Sequence, residues 1–314
     1  MRNKAVLVAA LLAALTSACV SPGLLAKDAQ SAGNAVQVSG SESVLSMRVD
    51  GELLITQNGR VGEYKVTTDG LPEEVTSLID QSIATWRFEP VMDAKGAPVV
   101  ARAYMRLTLV ARELEAERYA MGLENVRFHD GTKRNESTEA RERAKQGGVE
   151  VVQSARPSYP SMMLVNGVSG AALVNVLLAP DGTVEDAVVV QSAMFNVRGK
   201  SALMEKAFDE MEREAVRGVK RMRVRFGAGV DPRDPEISSG LLVINFEMTG
   251  KPDQRETRRK AGIWRIEQRG PLRSPAWEIE KAGTRLGISD MDGSEGYMSA
   301  TGNVIKPTAG VPML

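Results

Sequence analysis

Apolar and polar positions divide the chain into two strand-rich stretches separated by polar ones. From Met47, apolar runs bounded by turn residues read as strands: Leu53-Leu54-Ile55 leads to Asn58-Gly59, and Val61, Tyr64 and Val66 continue beyond it. Asn-Gly supplies the positive backbone angles of a tight turn, so the spacing predicts an antiparallel hairpin. Leu71-Pro72-Glu73-Glu74 follows, with proline at a helix start and acids in the first turn. Val75, Leu78, Ile79, Ile83 and Trp86 then recur at spacings of three and four, which predicts a helix with one apolar face. After Trp86-Arg87-Phe88-Glu89-Pro90 and Gly96-Ala97-Pro98, the run from Val99 to Leu109 reads as a closing strand.

The same order recurs downstream. Gly170 to Leu178 is apolar, Asp181-Gly182 is the turn, and Val184 to Val190 returns. Ala202, Leu203, Phe208, Met211 and Ala215 mark a helix to about Lys220, and Leu241 to Met248 closes the unit. Repetition of one strand, strand, helix, strand order carries more weight than any single motif. The expected fold class is α+β: two small β-β-α-β units, each an antiparallel sheet with one helix packed on it. The first unit is expected over 47–110 and the second over 155–249. A charged linker is expected over 111–154, because Glu113 to Lys145 is dense in charge of both signs. An extension, partly ordered, is expected over 250–314, where Ile263-Trp264-Arg265-Ile266 and Ala276-Trp277-Glu278-Ile279 flank Gly270-Pro271 in the pattern of a hairpin.

Arg2 and Lys4 precede an apolar run from Ala5 to Leu15, then Thr16-Ser17-Ala18-Cys19. This is the pattern of a secretory signal peptide, expected over 1–18. The run is too short for the roughly 20 residues that span a bilayer. Leu15-Thr16-Ser17-Ala18-Cys19 resembles the bacterial lipoprotein box, in which the Cys is lipidated and becomes the new N-terminus. Val20 after it implies the outer membrane. The other reading is ordinary cleavage after Ala18, leaving a soluble periplasmic protein with a free thiol. Residues 19–46, rich in Ser, Gly and Ala, are expected to form a flexible tether.

Composition removes function classes without supplying one. With one His and one Cys in 314 residues, the chain has no imidazole pair or zinc cluster and no disulfide framework. Forty basic side chains balance forty acidic ones, so net charge gives no reason to bind nucleic acid. No phosphate-binding glycine loop or nucleophile elbow is present. His129 beside Asp130 sits in the charged linker without a nucleophile context and reads as solvated. The expectation is a non-enzymatic protein with no cofactor, no metal and no small-molecule substrate.

Pro157-Ser158-Tyr159-Pro160, the strand from Gly170, Asp181-Gly182-Thr183-Val184 and Val188-Val189-Val190-Gln191-Ser192 together resemble the C-terminal domain of the TonB family of periplasmic energy transducers. The P-x-Y-P opening, the D-G-x-V turn and the Ser closing the second strand carry the likeness. Asn58-Gly59-Arg60-Val61, Trp86-Arg87-Phe88-x-Pro90 and Gly96-x-Pro98-Val99 match the other half of the pattern in the first unit. Met222-Arg223-Val224 stands where the second unit would have Trp-Arg-Phe, and Arg156 where the family often has Gln. The uncleaved membrane helix and long Pro-rich span of a transducer are missing, so a shared fold does not imply energy transduction.

The resemblance implies partner binding by strand addition at the closing strand, where the family pairs with a receptor peptide. Carried over by position, the partner-binding residues are Leu241, Val243, Asn245 and Phe246, with Tyr159 nearby. The alternative is that the C-terminal segment or the other repeat covers this edge. The implied function is a binding or scaffolding lipoprotein whose partner is a periplasmic or outer-membrane protein. Two other readings stay open: a TonB-like transport accessory engaging an outer-membrane receptor, and a periplasmic cell-wall hydrolase.

Overall fold

The hairpin and helix signals found in the sequence recur as elements of a mixed α+β fold whose sheets are antiparallel. The computed structural model describes residues 35–115, 118–129, 148–197, 202–247, 261–277, 287–291, 297–299 and 307–309. All of them belong to one unit, Asn34–Leu314. The signal segment, Cys19 and Asp130 lie outside the described residues.

In chain order the first elements are β1 (Ala35–Ser39), β2 (Glu42–Ile55), β3 (Val61–Val66), α1 (Glu73–Thr85), β4 (Arg87–Phe88), β5 (Val91–Met92), β6 (Pro98–Val99), β7 (Ala101–Glu115) and β8 (Arg118–His129). There follow β9 (Val149–Gln153), α2 (Ser161–Val165), β10 (Ser169–Leu178), β11 (Val184–Phe195), α3 (Ala202–Val219), β12 (Arg223–Phe226), α4 (Pro235–Ser238) and β13 (Ser239–Phe246). The C-terminal part adds β14 (Arg265–Arg269), β15 (Leu272–Pro275), α5 (Ile288–Met291), β16 (Tyr297–Ser299) and β17 (Pro307–Ala309). Nine strands form one sheet in the order β16-β13-β10-β11-β14-β2-β7-β8, with β3 also on β2. Smaller pairs are β1 with β15, β9 with β12, β4 with β17 and β5 with β6.

The turns set the register. Gly59 and Gly182 have φ of 74° and 83°, a left-handed backbone that glycine adopts without penalty. In the first turn Thr56 N donates to Arg60 O and Gly59 N to Thr56 O; in the second Ala179 N donates to Thr183 O and Gly182 N to Ala179 O. The chain after each helix docks on its turn in the same way, Phe88 N donating to Gly59 O at 2.8 Å and Val224 N to Gly182 O at 2.9 Å. In both passages the first strand lies between its hairpin partner and the strand that follows the helix, β3-β2-β7 and β11-β10-β13.

Alternation along β2 sends Met47, Val49, Leu53 and Ile55 against Val75, Ile79 and Ile83 of α1. Trp86, Phe88 and Phe128 close this core with edge-to-face rings 5.0 to 6.5 Å apart, so Trp86 and Phe88 are interior rather than surface anchors. The sheet around β10 is buried on both faces, which is why the sequence there runs apolar without alternation. Met211, Ala215 and Val219 of α3 fill one side, and Ile288 with Leu272 from the C-terminal segment covers the other. Glu210 of α3 caps α2, accepting from Ser161 N at 2.9 Å and Met162 N at 3.0 Å. The Ser161 hydroxyl and those backbone donors hold its carboxyl below the ordinary value. Glu210→Ala is expected to cost about 1 kcal/mol, the usual value of a cap, by urea unfolding, with Glu205→Ala on the same helix near neutral.

Three expectations are corrected. Much of the stretch 111–154 is strand: it completes β7 and supplies β8 and β9, because β8 pairs along β7 and packs Met121, Leu123, Val126 and Phe128 on the first core, while β9 pairs with β12. The expected tether contains β1 and the start of β2, held by β15 and β14. Among the described residues the expected hairpin around Gly270-Pro271 is not formed, since β14 enters the large sheet and β15 pairs with β1. Gly270 N donates to Ser192 O at 2.8 Å, which keeps that bend on β11.

Candidate functional site

Strand β13 places the residues carried over from the resemblance. Leu242, Ile244 and Phe246 point to the α3 side, while Leu241 and Val243 face the layer built by the C-terminal segment. Val243 and Phe246 are 8% and 2% exposed, so what they offer a partner is backbone. Tyr159 lies against Phe246, rings edge-to-face at 6.0 Å, and its hydroxyl donates to Val168 O at 2.7 Å. Sequence proximity by analogy and spatial proximity therefore agree for Tyr159 and Phe246. Asn245 Oδ1 is buried without a hydrogen-bond partner among the described residues.

The outer edge of β13 is occupied in part. Gly240, Leu241 and Leu242 face Ser299, Met298 and Tyr297 of β16. Among the described residues no strand pairs with 243–246 on that side. The closing strand of the first passage is fully flanked, since β8 follows β7 from Tyr104 to Glu115. His129 ends β8 opposite Tyr104.

A second cluster carries no motif in the sequence. Glu267 in β14 is fully buried, and Arg269 is 3% exposed. Ser46 Oγ donates to Glu267 Oε1 at 2.6 Å and Arg269 Nε to Oε2 at 2.9 Å, with Arg265 and the Ser289 hydroxyl also on this carboxylate. Arg269 grips Glu124 with both terminal nitrogens at 2.8 and 2.9 Å and reaches Glu42 at 3.1 Å. The Arg265 guanidinium lies 3.8 Å over the Phe195 ring. Burial alone drives the Glu267 carboxyl up, but Arg265, Arg269 and the two hydroxyls outweigh it and hold it down at about 2. Burial likewise opposes the charge on Arg269, yet Glu267 and Glu124 raise its guanidinium above the ordinary value.

The cluster is a closed set of charges, Glu267 between Arg265 and Arg269 and Arg269 in turn on Glu124 and Glu42. The basic run near the end of α3 is committed within the fold: Arg217 pairs with Glu214, Lys220 with Asp186 at 3.0 Å, and Arg225 with Glu150 at 3.2 Å. No group of three or more His, Cys, Asp or Glu among the described residues is placed to hold a metal ion. No helix among them is long and apolar enough to cross a membrane. Comparison with protein-family models, with curated proteins and with solved structures finds no match to this chain.

Proposed function

We propose that the chain is a periplasmic lipoprotein, held at the outer membrane through Cys19, that acts without catalysis as a binding or scaffolding module of two TonB C-terminal-like β-β-α-β units. The observation that carries the repeat is the matched docking of Phe88 on Gly59 and Val224 on Gly182, with the strand order 2-1-3 in both passages. That Phe88 and Val224 dock alike supports matching Trp86-Arg87-Phe88 to Met222-Arg223-Val224. Partner capture by strand addition rests on the place of β13 as the closing strand of the second passage, whose outer edge accepts a further strand at Gly240–Leu242. Lipid attachment rests on the sequence around Cys19 alone.

A photocrosslinking residue at Asn245, with one at exposed Lys95 as control, tests the edge in intact envelope. The expected result is a discrete adduct from position 245 and none from position 95. Equal adduct patterns from the two positions, or none from 245, would sink capture at β13. A receptor in the adduct would favour the transport-accessory reading over the scaffold.

A further inference from the structure

The two halves of the sheet have separate cores, and the buried residues around α1 share no member with those around α3. What joins the sheet is β14, five residues that pair with Ala193–Phe195 of β11 on one edge and with Glu42–Ser46 of β2 on the other. A strand seated between two others uses both rows of its backbone donors and acceptors, which gives affinity whatever its sequence. Its side chains add a pattern. Arg265, Glu267 and Arg269 occupy alternate positions and meet, in turn, the Phe195 ring, the Ser46 and Ser289 hydroxyls, and the Glu42 and Glu124 carboxylates. Basic, acidic and basic positions thus each have a complementary surface, and reversing the central charge would set two guanidiniums against a third cation in a water-excluded place.

We propose that the seat between β2 and β11 is a strand-acceptor site for an extended peptide of the pattern Arg-x-Glu-x-Arg, with β14 as its resident occupant. Because β14 is part of the chain, its effective concentration is high and the seat stays filled in the resting protein. A peptide of the same pattern competes when the resident strand is weakened, and an incoming strand that pairs with both β2 and β11 keeps the two halves joined while releasing β14. The seat is distinct from the β13 edge, so failure of capture at β13 leaves it standing.

The test uses the full chain carrying R265A and R269A, mixed with labelled peptide Ile263–Pro275 of natural sequence or the same peptide with E267K. One-to-one uptake of the natural peptide is expected, with the E267K peptide at least about a hundredfold weaker. Equal uptake of both peptides overturns the charge pattern. No uptake of the natural peptide by a substituted chain with native circular dichroism and protected α3 amides overturns the seat itself. If the substituted chain does not fold, the natural chain refolded from urea with excess peptide decides: selective incorporation of the natural peptide supports the site, and peptide-free or non-selective refolding overturns it.

Discussion

Replacing Glu267 with Leu is expected to lower the stability of the fold by about 3–5 kcal/mol at neutral pH, the cost of leaving buried charge without its partner. Arg265 and Arg269 both lean on this carboxylate, and neither has water to fall back on, at 13% and 3% side-chain exposure. Arg269 keeps Glu124 and Glu42, and Arg265 keeps the Phe195 face. Ser289→Ala removes a donor from the same carboxylate and an acceptor from Arg269, and should cost about 1.5–2 kcal/mol. Urea unfolding of both variants checks the contrast. A Glu267→Leu loss no larger than that of Ser289→Ala would mean that the cluster does not hold β14 in place.

The same carboxylate fixes a pH dependence. Its pKa is depressed, from an ordinary 4.5 to about 2, so the folded state favours the ionised form. The stabilisation is therefore complete above about pH 4.5 and is lost as pH falls toward 2, with the unfolded chain taking up the proton first. At about 1.4 kcal/mol per unit the shift amounts to roughly 3 kcal/mol, in the range expected from the substitution. The stability gap between the natural chain and Glu267→Gln should accordingly be constant from neutral pH to about 5 and shrink below it.

Local elements were legible because their signals are local. Asn58-Gly59, Asp181-Gly182 and the apolar faces of α1 and α3 need no distant residue to be read. The continuous apolar run of β10 was legible as a strand, whereas its second cover, from Ile288 and Leu272, was not. Strand β14 was opaque for the opposite reason. Arg265, Glu267 and Arg269 at alternate positions look like the solvent face of a strand, yet their partners Ser46, Glu42 and Glu124 lie 145 to 227 residues away in sequence. Strand β8 was hidden similarly, since Glu124 reads as a linker charge until Arg112 and Arg269 are set beside it. At the β13 edge, the strand and the nearness of Tyr159 were readable, while the cover supplied by Tyr297–Ser299 carries almost no pattern in three residues.

Gly59→Ala and Gly182→Ala should each cost about 3 kcal/mol, and Gly96→Ala only about 1 kcal/mol, although all three glycines have φ between 74° and 83°. The left-handed backbone penalises alanine equally at the three sites, so the difference must come from what the new methyl meets. At Gly96 nothing lies within 4 Å of the added carbon. At Gly59 it would stand 2.0 Å from Phe88 O, and at Gly182 2.1 Å from Val224 O, both backbone atoms with no rotamer to escape through. Relief requires lifting β4 or β12 off its hairpin, which breaks the Phe88-to-Gly59 or Val224-to-Gly182 hydrogen bond and loosens a core behind it. Thermal or urea unfolding of the three variants measures this directly. Matching large losses at 59 and 182 with a small one at 96 require that the chain after each helix be pressed onto its turn, whereas three equal losses would mean that neither short strand is docked as described.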